Sequence, residues 1–444
     1  MPVGKLLISM SVPMMLSMMV QALYNIVDSI FVARISEDAL TAVSLAFPIQ
    51  NLMIAFGVGT GVGVTALVSR HLGEKNFEKA NRVATNGLVL SFVTACVCSV
   101  LCFFFMDDYF RLLSSDPTIT SYGITYTRIV GVICFGIFFQ TMFEKLLQST
   151  GKTMLSMYSQ MLGACINIVF DPILIFGLLG APKLGVAGAA IATIMGQIAS
   201  AIFGCFLNLK KNPEIRLSLR KYPLRLRTVK NIYNIGFPAI IMNAIGSLMN
   251  FGMNKILLMF SSTAAAVFGV YFKLQSFVFM PVFGLNNGMT PIVAYNFGAA
   301  KPERIKKTIQ YAWLVALLIT AAATAVFHLM PGLLLKMFSA SDNMLAIGVP
   351  ALRIISIHFC IASVSIISLS TCQALGHGFL SMMISLIRQI GVLLPVSYVL
   401  AMNFGLSAIW WSYPIAEIVS AALGLIFLRR MMRTEINPLY LSKD

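Results

Sequence analysis

Apolar stretches of about 20 residues follow one another along the whole chain, each long enough to cross a bilayer as a helix. Twelve can be read, at 8–33, 42–69, 85–106, 120–147, 153–176, 185–208, 232–259, 264–292, 308–330, 347–373, 380–402 and 406–428. In hydrocarbon, each span must satisfy its own backbone N–H and C=O groups, which leaves helices for runs of this length. Twelve spans in 444 residues leave short loops and no room for a soluble domain. Only 11% of the residues are charged, against roughly 25% in soluble domains. The expected fold is therefore an all-α integral membrane protein. Met1 to Arg34 reads as the first span and not as a cleaved leader, because its apolar run is too long and no small-residue cleavage site follows.

The chain also matches itself. Displaced by 225 residues, Pro13 meets Pro238, Asn25 meets Asn250, Gln50 meets Gln275, Gly59 meets Gly284 and Gly63 meets Gly288. The same offset aligns Gly73 with Gly298, Arg128 with Arg353, Gln148 with Gln373 and Gly151 with Gly376. Each half then holds six spans and enters the membrane from the same side. That makes a parallel, pseudo-two-fold repeat about the membrane normal, as in transporters built from two rocking bundles. The halves are read as 1–208 and 231–430, joined by a basic linker at 209–230 and followed by a tail at 431–444. Within the second span, Gly57, Gly59, Gly61 and Gly63 alternate. Close helix packing and a hinge are both open readings for them. Pro13 and Pro238 sit early in the first and seventh spans, where a kink can form.

A net charge of +16 would fit a nucleic-acid partner, but its placement argues against one. Lys210, Lys211, Arg216, Arg220, Lys221, Arg225, Arg227 and Lys230 crowd the linker. Arg70, Lys75, Lys79 and Arg82 share one loop, and Lys301, Arg304, Lys306 and Lys307 another. With an even number of spans these segments face one side, while Glu37, Asp38, Asp107, Asp108, Asp116 and Asp342 face the other. This is the positive-inside pattern, so both termini and the linker are expected in the cytoplasm of a cell-membrane protein. Contact with anionic lipid is a secondary use of the same charge. The eight cysteines lie within spans without a CxxC pair, and small apolar packing accounts for them.

Four acids remain inside spans: Asp28, Glu144, Asp171 and Glu417. Ionisable groups there are costly and point to function. Asp28 and Asp171 each precede the outer end of their helix by about five residues, so their depths match. Asn167 is one turn from Asp171 on the same face. Thr193 lies about eight residues into the next span, roughly 12 Å deep and near the level of Asn167. Two carboxylates, an amide and a hydroxyl make a hard-oxygen set suited to Na⁺ or a proton. Acids facing outer water, or held in structural hydrogen bonds, are the competing reading. Glu144, followed by Lys145, reads as an interfacial, snorkelling residue. Glu417 fits either a cavity-facing role or a structural hydrogen bond. The first five spans of the second half carry no acid in their cores and hold Lys255, Lys273, Arg353 and Arg388 instead. Lys273 or Arg388 could pair with Glu417 or meet an anionic group.

At these residues a resemblance appears. "ALYNIVDSIFVARIS", "NIVFDPILIFG", "LGVAGAAIATIMGQ", "LGEKNFEKANRV" and "GMTPIVAYNFGAAKPERIKKT" resemble the MATE multidrug and toxin extrusion transporters, in order and over nearly the whole chain. Within that family the chain looks like the bacterial efflux branch of MepA-like proteins. The resemblance implies a twelve-helix, two-lobe antiporter that exports organic cations or other amphipathic compounds in exchange for H⁺ or Na⁺. It also implies a first-lobe ion site at Asp28, Asn167, Asp171 and Thr193, where Na⁺ would be the metal bound. Some relatives add acids in the seventh and tenth helices. Here those helices offer Asn250, Asn254, Lys255 and Arg353, so coupling is expected in the first lobe.

Tyr24, Asn25, Gln50, Gln275, Lys273, Arg388 and Glu417 are the candidate substrate-cavity residues. The expected partners are a small-molecule substrate, the coupling cation and membrane lipid, with no nucleic acid, no cofactor, and a monomer as the working form. A lipid-linked precursor flippase, or an exporter of an anionic metabolite, is the alternative that the second-half bases keep open. No His/Asp, Ser/His or metal-ligand cluster argues for an enzyme.

Overall fold

The computed structural model describes residues 1–338 and 340–443, so the last residue of the tail, Asp444, lies outside the described residues. The long helices are α1 (Val3–Ala33), α2 (Glu37–Gly73), α3 (Phe77–Leu113), α4 (Pro117–Val132), α5 (Phe135–Ser149), α6 (Thr153–Phe176) and α7 (Val186–Lys211). The second half follows with α8 (Leu226–Leu258), α9 (Ser262–Gly298), α10 (Pro302–Leu329), the short α11 (Pro331–Lys336), α12 (Asp342–Ser356) and α13 (His358–Ala374). The last spans are built from α14 (Gly378–Leu386), a π-helical turn at Ile387–Leu393, α15 (Leu394–Phe404), the short α16 (Leu406–Ile409) and α17 (Ser412–Met431). Among the described residues ten helices are long and apolar enough to cross a membrane. Two bent pairs, α4 with α5 at 46° and α12 with α13 at 42°, bring the total to twelve if each is one span. With each bent pair taken as one span, the described residues account for the twelve expected spans. Most helices run several residues beyond the apolar runs, into the polar segments that flank them.

The 225-residue repeat is written into local geometry as well as into residue identity. Ser36 and its counterpart Ser261 cap α2 and α9 in the same way, each hydroxyl accepting from the backbone N–H of Ala39 or Ala264 at 3.0 Å. A hydroxyl there satisfies one of the N–H groups a helix start leaves free. Left-handed backbone recurs at Lys75 (φ 57°) and Ala300 (φ 51°), and again at Gly151 (φ 80°) and Gly376 (φ 101°). The breaks between α4 and α5 and between α12 and α13 are counterparts too.

The chain divides by contact into two bundles. The first is Leu16–Ile240. The second is Met1–Met15 together with the chain from Ile241 on. These limits do not fall at the 209–230 linker. They fall two residues after Pro13 and two after Pro238, inside α1 and α8, which run unbroken through their prolines. Each leading helix therefore packs its first turns in one bundle and the rest in the other.

Glycines make those first turns fit. In the first bundle, a Cβ on Gly63 would lie 2.3 Å from the Ile232 carbonyl oxygen, and one on Gly59 2.9 Å from that of Gly236. In the second, a Cβ on Gly288 would lie 2.7 Å from Ser11 Cα, and one on Gly284 2.5 Å from Met15 Cα. The other two alternating glycines face α5, Gly57 towards Phe138 and Gly61 towards Lys145. Of the two readings open for this glycine series, the geometry is that of close packing, on two faces of one continuous α2.

Candidate functional site

The site is built where α6 and α7 pack antiparallel. Small residues set their register. Ser159 and Ser200 exchange hydrogen bonds with each other's carbonyl oxygens at 2.9 and 2.7 Å. One turn on, a Cβ on Gly163 would lie 2.9 Å from the Gly196 carbonyl oxygen, and one on Gly196 2.6 Å from that of Gly163. Only glycine permits so close an approach. The next turn of the seam then places Asn167 against Thr193, with Asn167 Nδ2 donating to Thr193 Oγ1 at 3.4 Å and to Asp171 Oδ1 at 3.3 Å. Pro172 follows Asp171 inside α6 and cannot donate to the ladder, which loosens the helix at the carboxylate.

α1 supplies the second acid. Asp28 lies next to Asp171, close enough for the two carboxyl groups to interact. Asp171 is fully buried and Asn167 is 3% exposed. Three oxygens in this group, Asp28 Oδ1, Asn167 Oδ1 and Asp171 Oδ2, are buried without a hydrogen-bond partner. Buried acceptors left this way are costly and call for a donor or a cation. Two carboxylates, an amide oxygen and a hydroxyl fit a hard ion such as Na⁺, or a proton shared between the acids. Among the described residues no three His, Cys, Asp or Glu side chains converge to hold a metal.

The sequence reading brought Asp28, Asn167, Asp171 and Thr193 together, and the structure does so too. It missed what surrounds them. Tyr126, 2% exposed on α4, lies beside Thr193 and accepts from Gln50 Nε2 at 3.0 Å. A cavity of about 40 Å³ adjoins Asn167 and Thr193, walled by Gln21, Tyr24, Gln140, Gln160 and Gln197. That is room for about one water or one bare cation. The signal was available as four glutamines set in otherwise apolar runs. Tyr24 and Gln50 thus lie at this site, whereas Asn25 is exposed on α1.

Glu144 departs from the expectation of a snorkelling, interfacial residue. It and Lys145 are each only 7% exposed. Gln140 Nε2 donates to Glu144 Oε1 at 3.0 Å, and Lys145 Nζ donates to Gln148 Oε1 at 3.0 Å. The glycine face of α2 explains it: Gly61 leaves a slot that the Lys145 stem fills. Both side chains are held between helices.

In the second bundle Arg388 takes Glu417, its Nη1 donating to Oε2 at 2.9 Å, with Arg388 33% and Glu417 3% exposed. Arg388 stands on the π-helical turn, a distortion frequent at functional positions. Tyr271, His358 and Tyr413 pack beside the pair as an aromatic cluster, with ring centroids 5.6 Å apart for Tyr271–Tyr413 and for His358–Tyr413. Lys273 goes elsewhere, its Nζ 6.0 Å from the Phe338 ring centroid, and Gln275 is half-buried. Lys255 lies over Phe251, and Arg353 Nε donates to the His328 carbonyl oxygen at 3.2 Å. Removing one member of a buried ion pair typically costs about 3–5 kcal/mol. Arg388→Gln is therefore expected to lower the thermal midpoint clearly, and Arg388→Gln/Glu417→Gln to recover most of the loss. Thermal unfolding of the purified variants in detergent checks this, and a double variant no more stable than the single would contradict it.

Fold and site define a polytopic α-helical membrane protein of two like bundles, with a hard-oxygen cluster buried in one of them. The chain belongs to the MatE family, whose model matches residues 13–173 and again 238–399, one match to each half of the repeat. The multidrug export protein MepA of Staphylococcus haemolyticus is 27% identical over 425 residues, covering 96% of this chain and 93% of that protein. MepA of Staphylococcus aureus strain MSSA476 is 25% identical over 435 residues, covering 97% and 94%. Among solved structures, an outward-facing multidrug resistance MATE family transporter of the MOP superfamily superposes with a TM-score of 0.92 at 26% identity. That match covers 99% of this chain and 97% of that one. A MOP superfamily transporter from Pyrococcus furiosus, described for the reverse polarity of its binding pocket, gives 0.92 at 25% identity over 99% and 97%.

Proposed function

We propose that this protein is a cation-coupled antiporter of the cell membrane, exporting organic cations, drugs or other amphipathic small molecules by alternating access of its two lobes. Both termini and the 209–230 linker lie in the cytoplasm, as the placement of the basic residues supports. The monomer carries out the cycle without a cofactor. The observation that carries the reading is the set of three unpartnered buried oxygens on Asp28, Asn167 and Asp171. The names of the MepA relatives support drug export.

The coupling ion, H⁺ or Na⁺, enters from outside and binds Asp28 and Asp171, with Asn167 and Thr193 completing the shell. In the ion-free state, two neighbouring carboxylates repel each other and lack counter-charge. Binding removes that repulsion, draws α1 and α6 together, and favours return of the protein to its inward-facing form. An ion can drive this only by binding one state more tightly than the other. Tyr24 and Gln50, beside the site, sense the change and connect it to substrate.

Dye efflux from proteoliposomes holding the purified protein, with a Na⁺ gradient and a pH gradient imposed separately, tests this. Efflux under one of the two gradients is expected and names the ion. No efflux of any of several cationic dyes under either gradient would overturn the proposal in favour of a flippase or an anionic-metabolite exporter.

A further inference from the structure

The 209–230 linker is not a loose tether. Three side chains near the start of α3 hold its backbone: Asn81 Oδ1 accepts from Arg216 N at 2.8 Å, Thr85 Oγ1 from Ser218 N at 3.4 Å, and Asn86 Oδ1 from Arg225 N at 3.0 Å. Asn86 Nδ2 also donates to the Pro223 carbonyl oxygen at 3.3 Å. Ile215 and Tyr222 are buried, and Ile215 and Leu217 join the apolar cluster around Val83 and Ile232. One side of this strap is thus spent on the first bundle.

The other side is apolar as well. Leu219, Leu224 and Leu226 are 63%, 50% and 84% exposed. They alternate with exposed Arg220, Lys221, Arg225 and Arg227. Leucines interleaved with bases suit neither water nor hydrocarbon alone, but they do suit the boundary between them. The depth agrees. Asn86, which holds residues 223 and 225, stands at the start of the apolar run of α3. Leu224 and Leu226 are therefore level with the edge of the hydrocarbon. Beside the strap is an open cavity of about 610 Å³ lined by Phe77, Asn81, Arg216 and Lys221 among others. The acids on its wall are already matched, Glu78 by Arg82 and Glu214 by Lys152. Arg216 and Lys221 are left facing the opening, where they can meet an anion.

We propose that the strap lies on the bilayer and binds its anionic phospholipids, with Leu219, Leu224 and Leu226 at the acyl boundary and Arg216, Arg220, Lys221, Arg225 and Arg227 on the headgroup phosphates. The occupant is a lipid surface because a free phosphate would meet the bases but leave the leucines in water. The inference rests on the orientation proposed above, which puts the strap against the inner leaflet. The test does not depend on that orientation, since a nanodisc offers the same lipid on both faces.

The measurement is hydrogen–deuterium exchange of residues 219–227 in the full chain, in nanodiscs of phosphatidylcholine alone or mixed with phosphatidylglycerol. Exchange is expected to slow by about tenfold or more with the anionic lipid, since several basic groups act together, and to recover in high salt. Arg220→Gln/Lys221→Gln/Arg225→Gln/Arg227→Gln and Leu219→Ser/Leu224→Ser/Leu226→Ser should each abolish the difference. Equal exchange of the unaltered chain in the two lipids would overturn the proposal, and that comparison needs no variant to fold. So would inorganic phosphate reproducing the protection in neutral nanodiscs, or the leucine variant keeping it.

Discussion

Asp171→Asn is expected to insert, fold and bind substrate normally while losing cation-driven export by at least about tenfold, within the ~5–150-fold range of site-to-site couplings. The substitution is nearly isosteric. It keeps an oxygen to accept the hydrogen bond from Asn167 Nδ2, so a purely structural Asp171 would tolerate it. It removes the negative charge, and with it the repulsion from Asp28 that ion binding is proposed to relieve. On the proposal that both acids serve one ion, Asp28→Asn should behave in the same way, and the double variant should be little worse than either. Initial rates of gradient-driven dye efflux, set against dye binding to the same variants, separate the two roles. Normal driven export by both single variants would remove these acids from the coupling site.

Gly63→Ala should be the most damaging single-methyl change in the first bundle. The added Cβ would lie 2.3 Å from the Ile232 carbonyl oxygen, which is backbone and cannot rotate away. α2 and α8 must separate there, and overpacking of this kind costs about 1–3 kcal/mol. Its repeat counterpart Gly288→Ala meets Ser11 Cα at 2.7 Å and should fail in the same way in the second bundle. Gly269→Ala is the control, since nothing lies within 4 Å of its added Cβ. Lower thermal midpoints and slowed export are expected for the first two, with Gly269→Ala like the unaltered protein. If Gly63→Ala were as stable and active as Gly269→Ala, the close approach of α2 and α8 would not be the functional packing.

The membrane fold was legible because hydrocarbon length and repeat offset act over whole helices. The acid site was legible for a narrower reason. Asp28 and Asp171 are the same distance from their helix ends, and helical rise alone brings such residues to one level. Their repeat counterparts are Met253 and Val396, so only one half carries the pair. Glu144 and Lys145 were misread because depth was judged along α5 alone; their burial depends on a slot made by Gly61 of another helix. Tyr126 was missed for a related reason: nothing in α4 marks it until α2 brings Gln50, and α7 brings Thr193, to its hydroxyl. The passage of α1 and α8 from one bundle to the other was also hidden, since Pro13 and Pro238 announce a local backbone effect and not a change of packing partner.

The most direct test of the coupling claim is ion binding to the purified protein without substrate or gradient, followed as radiolabelled Na⁺ uptake and as proton release on titration. One saturable ion per chain is expected, lost in Asp28→Asn and in Asp171→Asn and kept in Glu417→Gln. Binding that survives in both first-bundle variants, or disappears with Glu417→Gln alone, would contradict a coupling site at Asp28, Asn167, Asp171 and Thr193.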